Sequence, residues 1–384
     1  MKMSWTLGIC LLAVFTVAAA FAQTAPAPSV QDNMPGSLIK IDGRVFVGLF
    51  DSGSEGAYPN RAVDIPDAKL RFTYLPSKDV TMVTRLDLNK LNKASANALD
   101  YFYLDLNNWA GIAPNQTIRL GKMKEDIGDE TWTDNPAESI LITNSAAHVS
   151  GYDAGVNFRG IAATSIPVFY SVDMFNNTGN PGSASRALGT GAKVGVTPMD
   201  DLYVSASLYN SGELLPAAAG GKPAVPALSV GNLTAIPAGA AGWTRRLWEV
   251  DARYQYGKNG LKPEVPSSNE LPAFQAAASY GRLNDAFAGA TNRDASFWFL
   301  EGLYNVTQKI YVASRYSRIQ LNGAPTVMVD SPVAITQYTR VGIGAGYRIS
   351  PLTDLKAEYT INTTAGGATS PHLNQLAIGI ASKF

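Results

Sequence analysis

The sequence predicts an all-β protein, a transmembrane antiparallel up-and-down β-barrel of about sixteen strands. Three observations carry this. From Leu38 onward, apolar and polar side chains alternate with a period of two. Beyond the N-terminal segment, no apolar run is long enough for a spanning helix. The polar face carries many arginines and carboxylates, while the apolar face places aromatics near strand ends, as a sheet between lipid and water requires. Composition agrees: hydrophobic residues make up 46%, with 35 Gly and 17 Tyr, so average hydropathy stays near neutral. A formal net charge of +0 gives no global pull toward nucleic acid or an anionic surface.

The N-terminus reads as a secretory signal over residues 1–22. Lys2 supplies the positive end, Leu7 to Val17 the apolar core, and Ala20-Phe21-Ala22 the cleavage site. Cys10, the single cysteine, would leave with it, so no disulfide is expected in the exported fold. Residues 23–37, with Pro26, Pro28 and Pro35, read as a flexible leader. The barrel is expected over 38–384.

Strands are expected near 38–49, 67–75, 80–89, 98–107, 117–123, 151–160, 167–175, 190–197, 202–210, 247–256, 273–282, 295–305, 309–319, 337–349, 354–362 and 373–384. Their two faces differ in kind. In 247–256, Trp248, Val250, Ala252 and Tyr254 oppose Glu249, Asp251, Arg253 and Gln255. In 354–362, Leu355, Ala357, Tyr359 and Ile361 oppose Lys356, Glu358, Thr360 and Asn362. Tight turns rich in Pro and Asp follow even-numbered strands, as at 76–79, 198–201 and 351–354. Long segments follow odd-numbered strands, at 122–150, 211–246 and 320–336. The segment 257–272 breaks the rule, being long where a short turn is expected. The stretch 211–246, rich in Ala, Gly and Pro, reads as a mobile external loop.

Closure follows because backbone groups cannot go unpaired in hydrocarbon. About sixteen strands leave an aqueous interior. Alternation assigns to that interior Arg44, Lys69, Arg71, Arg85, Arg119, Arg159, Lys193, Arg253, Arg315, Arg340, Arg348 and Lys356. It also assigns Asp42, Asp67, Asp87, Asp105, Asp153, Asp173, Glu249, Asp251 and Glu358. The cations slightly outnumber the carboxylates, which leans the lining toward anions.

The last strand ends at Phe384, with Leu376, Ile378, Ile380 and Phe384 on one face. This resembles the closing strand of bacterial outer-membrane barrels, whose terminal aromatic is read by the barrel-assembly machinery. Ile118-Arg-Leu-Gly-Lys122, Gly155-Val-Asn-Phe-Arg-Gly160 and Ile310-Tyr-Val-Ala-Ser-Arg-Tyr316 resemble the Gram-negative general and phosphate-selective (O/P-like) porins. That family usually continues its Gly-x-x-Lys with Pro-Phe-Gly, where this chain has Met123-Lys-Glu-Asp-Ile-Gly128. The resemblance implies several things. The chain would be a porin of the Gram-negative outer membrane, with the leader in the periplasm. Lipid and lipopolysaccharide would surround it, and it would form a homotrimer. The loop 122–150 would fold inward as a constriction, setting Glu125, Asp126, Asp129, Glu130, Asp134 and Glu138 against the basic wall.

Other chemistry is weakly signalled. His148-Val-Ser150 with Asn157 superficially matches an outer-membrane phospholipase pattern, but a polar strand entrance accounts for it. His372 is the only other histidine, so no transition-metal cluster is expected. Carboxylates from Asp126 to Asp134 lack a defined spacing for Ca²⁺. Gly342-Ile-Gly-Ala-Gly346 has no following helix and reads as space on the inner wall. No cofactor and no enzymatic activity are expected. The leading reading is passive diffusion of small hydrophilic solutes or ions; the alternatives are a barrel sheathing a periplasmic or multihaem partner in an electron conduit and, second, an outer-membrane phospholipase-like enzyme.

Overall fold

The computed structural model describes residues 38–91, 98–108, 115–162, 165–176, 188–215, 228–231, 233, 240–256, 272–328 and 331–384. The expected signal and leader, 1–22 and 23–37, lie outside them. The strands are β1 (Leu38–Ser52), β2 (Ala62–Ser77), β3 (Val80–Asp87), β4 (Leu99–Asn107), β5 (Gln116–Lys124), β6 (Val149–Ala162), β7 (Val168–Phe175), β8 (Gly189–Met199), β9 (Leu202–Asn210), β10 (Leu228–Val230), β11 (Gly242–Tyr256), β12 (Phe274–Ala288), β13 (Arg293–Asn305), β14 (Ile310–Asn322), β15 (Gln337–Ser350), β16 (Thr353–Ala365) and β17 (Gln375–Lys383). All but β10 form one antiparallel ring of sixteen, in which each strand pairs with its sequence neighbour. The ring closes where β1 meets β17, from Arg44 opposite Lys383 to Ser52 opposite Gln375. The sixteen-stranded ring therefore has no open edge among the described residues, which is what hydrocarbon demands of a barrel.

Residues 257–272 leave the strands on either side in register: Tyr256 faces Phe274, so β11 and β12 pair to their ends. β11 and β12 are therefore direct partners on either side of this connection. The segment 211–246 differs from expectation. Part of it, β10, pairs with the start of β6 through Leu228 opposite Gly151, and β11 begins within it at Gly242.

Alternation sorts the two faces. On β11, Arg245, Leu247, Glu249, Asp251, Arg253 and Gln255 are buried, while Trp248, Val250 and Tyr256 are exposed. Val172, Val194, Leu208, Leu300, Val312, Ile343 and Ile361 extend the exposed apolar exterior around the ring. An exterior of this kind suits hydrocarbon, not water. Charged and hydroxyl side chains turn inward. Phe384 packs its ring beside Gly43, where a Cβ would clash with it, and exchanges two backbone hydrogen bonds with that glycine.

Candidate functional site: the lumen and its crossing loop

One wall of the lumen, β1 to β5, carries cations paired with carboxylates on neighbouring strands. Asp42 lies opposite Arg71 and accepts from its terminal guanidinium nitrogen at 2.8 Å. Lys69 lies opposite Asp87 and bridges it to Asp100, at 2.5 and 2.9 Å. Arg119 lies opposite Asp105 and grips both its oxygens, at 2.7 and 2.9 Å. Arg44 holds Asp67 at 2.6 Å. The guanidiniums also lie over rings: Arg119 sits 3.9 Å from the Tyr103 centroid and Arg85 4.3 Å from that of Tyr101. Cross-strand register thus fixes a row of cations each paired with a carboxylate, with two of the guanidiniums held over aromatic faces.

The segment 125–148 leaves β5 and crosses the lumen. Its entry is fastened to the β6–β9 wall. Asp126 is held by Arg159, and Asp129 by Lys193 at 2.7 Å. Gly128 turns the chain at φ 69°, where a side chain would meet the Glu249 carboxylate, and its N–H donates to Ser207. Glu130 accepts from the Ser145 N–H and hydroxyl, stapling the loop across its own neck. The tip reaches the opposite side. Glu358 accepts from the N–H groups of Ile142 and Thr143, each at 2.7 Å. Lys356 donates to the carbonyls of Pro136 and Ser139 at 2.6 Å. Arg315 and Arg340 donate to those of Thr143 and Asn144. Ala137 and Ile142 pack with Phe46 and Phe50. Leu141 packs with Tyr311 and fills the space left by Gly342 and Gly344.

Electrostatics divide the acidic loop residues. Burial pushes Asp126 up, but Arg159 and Lys193 outweigh it and hold the carboxyl below its usual range. Burial likewise pushes Asp134 up, but Lys124 and His148 outweigh it and hold that carboxyl below its usual range. Glu125 is buried with neither carboxylate oxygen bonded, and burial raises its pKa well above the ordinary value. Burial lowers that of His148.

The crossing loop leaves a passage against the β1–β5 wall. A cavity of about 580 Å³, lined by Lys69, Lys90, Lys122, Arg340 and Tyr152, lies on the long-loop side. It shares Arg44 and Asp134 with a narrower one of about 150 Å³, where Arg44, Arg71, Arg85 and Arg119 face Asp134 and Glu138. Behind the loop, Arg253 and Glu301 line a space of about 100 Å³ with Glu138.

Opposite the passage, the long-loop half of the lumen is filled. Ile127, Ala146, Leu228, Val230, Leu233, Met328 and Ile335, from three loops, form one buried cluster with Phe297, Leu283 and Tyr338 of the wall. Arg245 is fully buried and donates to Asp285 and to the carbonyls of Leu228 and Leu233. Arg293 completes the group through Asp285.

Every inward cation named from the sequence meets the lumen or its loop; Arg348, near the short-turn rim, stacks on Tyr311. Sequence reasoning missed Asp100 and Tyr101. Alternation from Asp105 turns Asp100 outward, but the register shifts where Arg85 faces Tyr101 and Leu86 faces Leu99. Tyr101 already shares the face of Asp105, and the bulge brings Asp100 inward beside it. Arg245 was missed because it lay in a segment read as loop. His148 and Ser150 do not form a nucleophilic pair: Nε2 of His148 has no partner, and Asn157 donates to Ser171 and Asp173. Among the described residues, no group of His, Cys, Asp and Glu is arranged to hold a metal.

No family model matches the chain, and no curated protein matches it. Solved structures do. The outer-membrane channel DcaP of Acinetobacter baumannii is 12% identical, with TM-score 0.61 over 91% of this chain and 98% of that one. An anion-selective porin from Comamonas acidovorans is 12% identical, with TM-score 0.59 over 91% and 100%. OmpT of Vibrio cholerae, an outer-membrane protein in a trimer form, is 12% identical, with TM-score 0.55 over 91% and 100%. At these identities the likeness is one of fold.

Proposed function

We propose that this chain is a porin of the Gram-negative outer membrane, passing small hydrophilic solutes or ions by passive diffusion. The observation that carries the reading is the passage of Arg44, Arg71, Arg85 and Arg119 against Asp134 and Glu138. A transverse field at the narrowest point orients polar solutes and slows apolar ones. Pairing removes most of the wall's charge, so the anion lean is slight. Phosphate preference, the finer expectation of the O/P-like resemblance, rests on that same cation row. In this reading the signal at 1–22 directs export, the short-turn rim and N-terminus face the periplasm, and Phe384 addresses the assembly machinery. Lipid and lipopolysaccharide surround the barrel, and a homotrimer is supported by the trimeric form of one structural neighbour. The role is transport, not enzymatic. A sheath for a redox partner fits poorly, because the chain's own loops occupy much of the lumen.

The test is single-channel conductance in a planar bilayer, with reversal potential under a KCl gradient. Steady conductance proportional to salt, with a small anion-side reversal potential, is expected. A correctly folded barrel that does not conduct would overturn the proposal.

A further inference from the structure

Among the described residues, the outside of the barrel carries a group of outward arginines on β11, β12 and β14. Arg246 on β11, Arg282 on β12 and Arg318 on β14 share the outward parity of Trp248, Tyr280 and Tyr316. Register puts them together: Arg282 lies opposite Trp248, and Arg318 opposite Trp298. Arg246 sits one step nearer the long-loop rim than Trp248, and Arg282 and Arg318 are level with the tryptophans of two outward aromatic pairs. These are Trp248 with Tyr280, centroids 5.6 Å apart, and Trp298 with Tyr316, 5.0 Å apart. Such aromatics mark the boundary between hydrocarbon and head groups. The arginines therefore stand at head-group height.

Two of them line a concavity of about 890 Å³ on this outer face. Its lower part is apolar, with Val172, Leu208 and Trp248; its upper part holds Arg246, Arg282 and Asp294. Asp294 is already engaged by the Asn284 amide at 2.6 Å. Among the described residues, Arg246 has no ion-pair or hydrogen-bond partner, and Arg282 only the Tyr280 hydroxyl at 3.3 Å. Guanidiniums that hold no carboxylate beside a lipid-exposed apolar groove are costly unless an anion meets them.

We propose that this groove binds a phosphorylated lipid of the surrounding leaflet, with acyl chain along Val172, Leu208 and Trp248 and phosphate between Arg246 and Arg282. Guanidinium forks match phosphate oxygens in geometry and charge. The apolar floor selects a lipid over free phosphate. This rests on the membrane placement proposed above and adds the partner's head-group chemistry and its site.

The test uses the full-length barrel in detergent, with lipid adducts counted by native mass spectrometry. The probes are a diphosphorylated glycolipid, its dephosphorylated form, and inorganic phosphate. Binding of the phosphorylated lipid, weakened about tenfold by Arg246→Gln with Arg282→Gln, is the expected result. Equal binding of the dephosphorylated lipid, binding of inorganic phosphate alone, or unchanged binding by the double variant would overturn it. So would loss of oligomer in the variant without loss of lipid, which would make the groove a contact between copies. Conductance is measured alongside. The variant should conduct as the parent does, so a non-conducting parent would count against the porin reading and leave the lipid result standing.

Discussion

The two walls of the lumen use the same residue types for different ends. On β1 to β5, Arg71, Lys69 and Arg119 each meet an aspartate directly across the strand pair. Their charge is spent along the wall, and a watery passage remains. On the far side, Lys193 lies opposite Ser171 and Ser207. Lys356 lies opposite Gly346 and Gly379, and Arg340 opposite Ser317 and Asn362. With no acid across the sheet, these cations reach into the lumen and take the loop's carboxylates and carbonyls. Arg315 does both, holding Glu301 at 2.7 Å and the Thr143 carbonyl at 2.7 Å. The teaching is that a basic lumen residue lines a channel or clamps a loop according to what its strand neighbour offers. Buried charge left unpaired is too costly to do neither.

The strongest break of this contrast is to remove the crossing loop. Excising 130–144 and joining the ends with a short Gly-Ser linker frees the far wall of its ligand. Conductance should rise roughly two- to threefold, since the narrowest section is lost. An unchanged conductance would mean that the narrowest section lies elsewhere.

A smaller effect follows from releasing only the tip. Glu358→Ala leaves the Ile142 and Thr143 N–H groups without an acceptor in a buried site. Bonds to a charged group contribute about 1.5–3 kcal/mol each when lost this way. The loop should visit undocked positions, read as new sub-conductance levels and faster amide exchange at Ile142. Quiet, single-level traces from the variant would show that apolar packing on Phe46 and Phe50 suffices.

The sharpest comparison sets two arginines side by side. Arg119→Ala, on the open wall, should move the reversal potential toward cations with little change in conductance. Arg159→Ala, on the clamping wall, should leave selectivity nearly unchanged but loosen the loop entry at Asp126. Equal shifts from both would erase the distinction between the walls.

The ring itself was legible, because alternation is dictated by lipid on one face and water on the other. Strand positions such as 202–210 therefore match the structure to the residue. The inward cations were legible for the same reason. What alternation could not reveal was pairing. Asp100 depends on a bulge, Arg245 on a loop that returns into the lumen, and the clamp at Glu358 on contacts more than two hundred residues distant in sequence. Period-two patterning sets a side chain's face and is silent about what crosses from the other side.

The smallest expected effect concerns pH, and it separates the two sides again. On the filled side, the raised pKa of Glu125 means that docking is favoured while it stays protonated. Above its ordinary value of 4.5 the undocked form ionises freely, so docking weakens as pH rises toward the raised value. On the passage side, Asp134 is lowered, so its contribution is present above 3.8 and lost as pH falls further. His148, also lowered, adds a cost as pH falls below 6.5. The loop should therefore be quietest at intermediate pH and noisier at both extremes. Glu125→Gln removes only the alkaline limb. Recordings from pH 4 to pH 9 test it: a variant whose noise still rises on the alkaline side would show that Glu125 does not govern the filled wall.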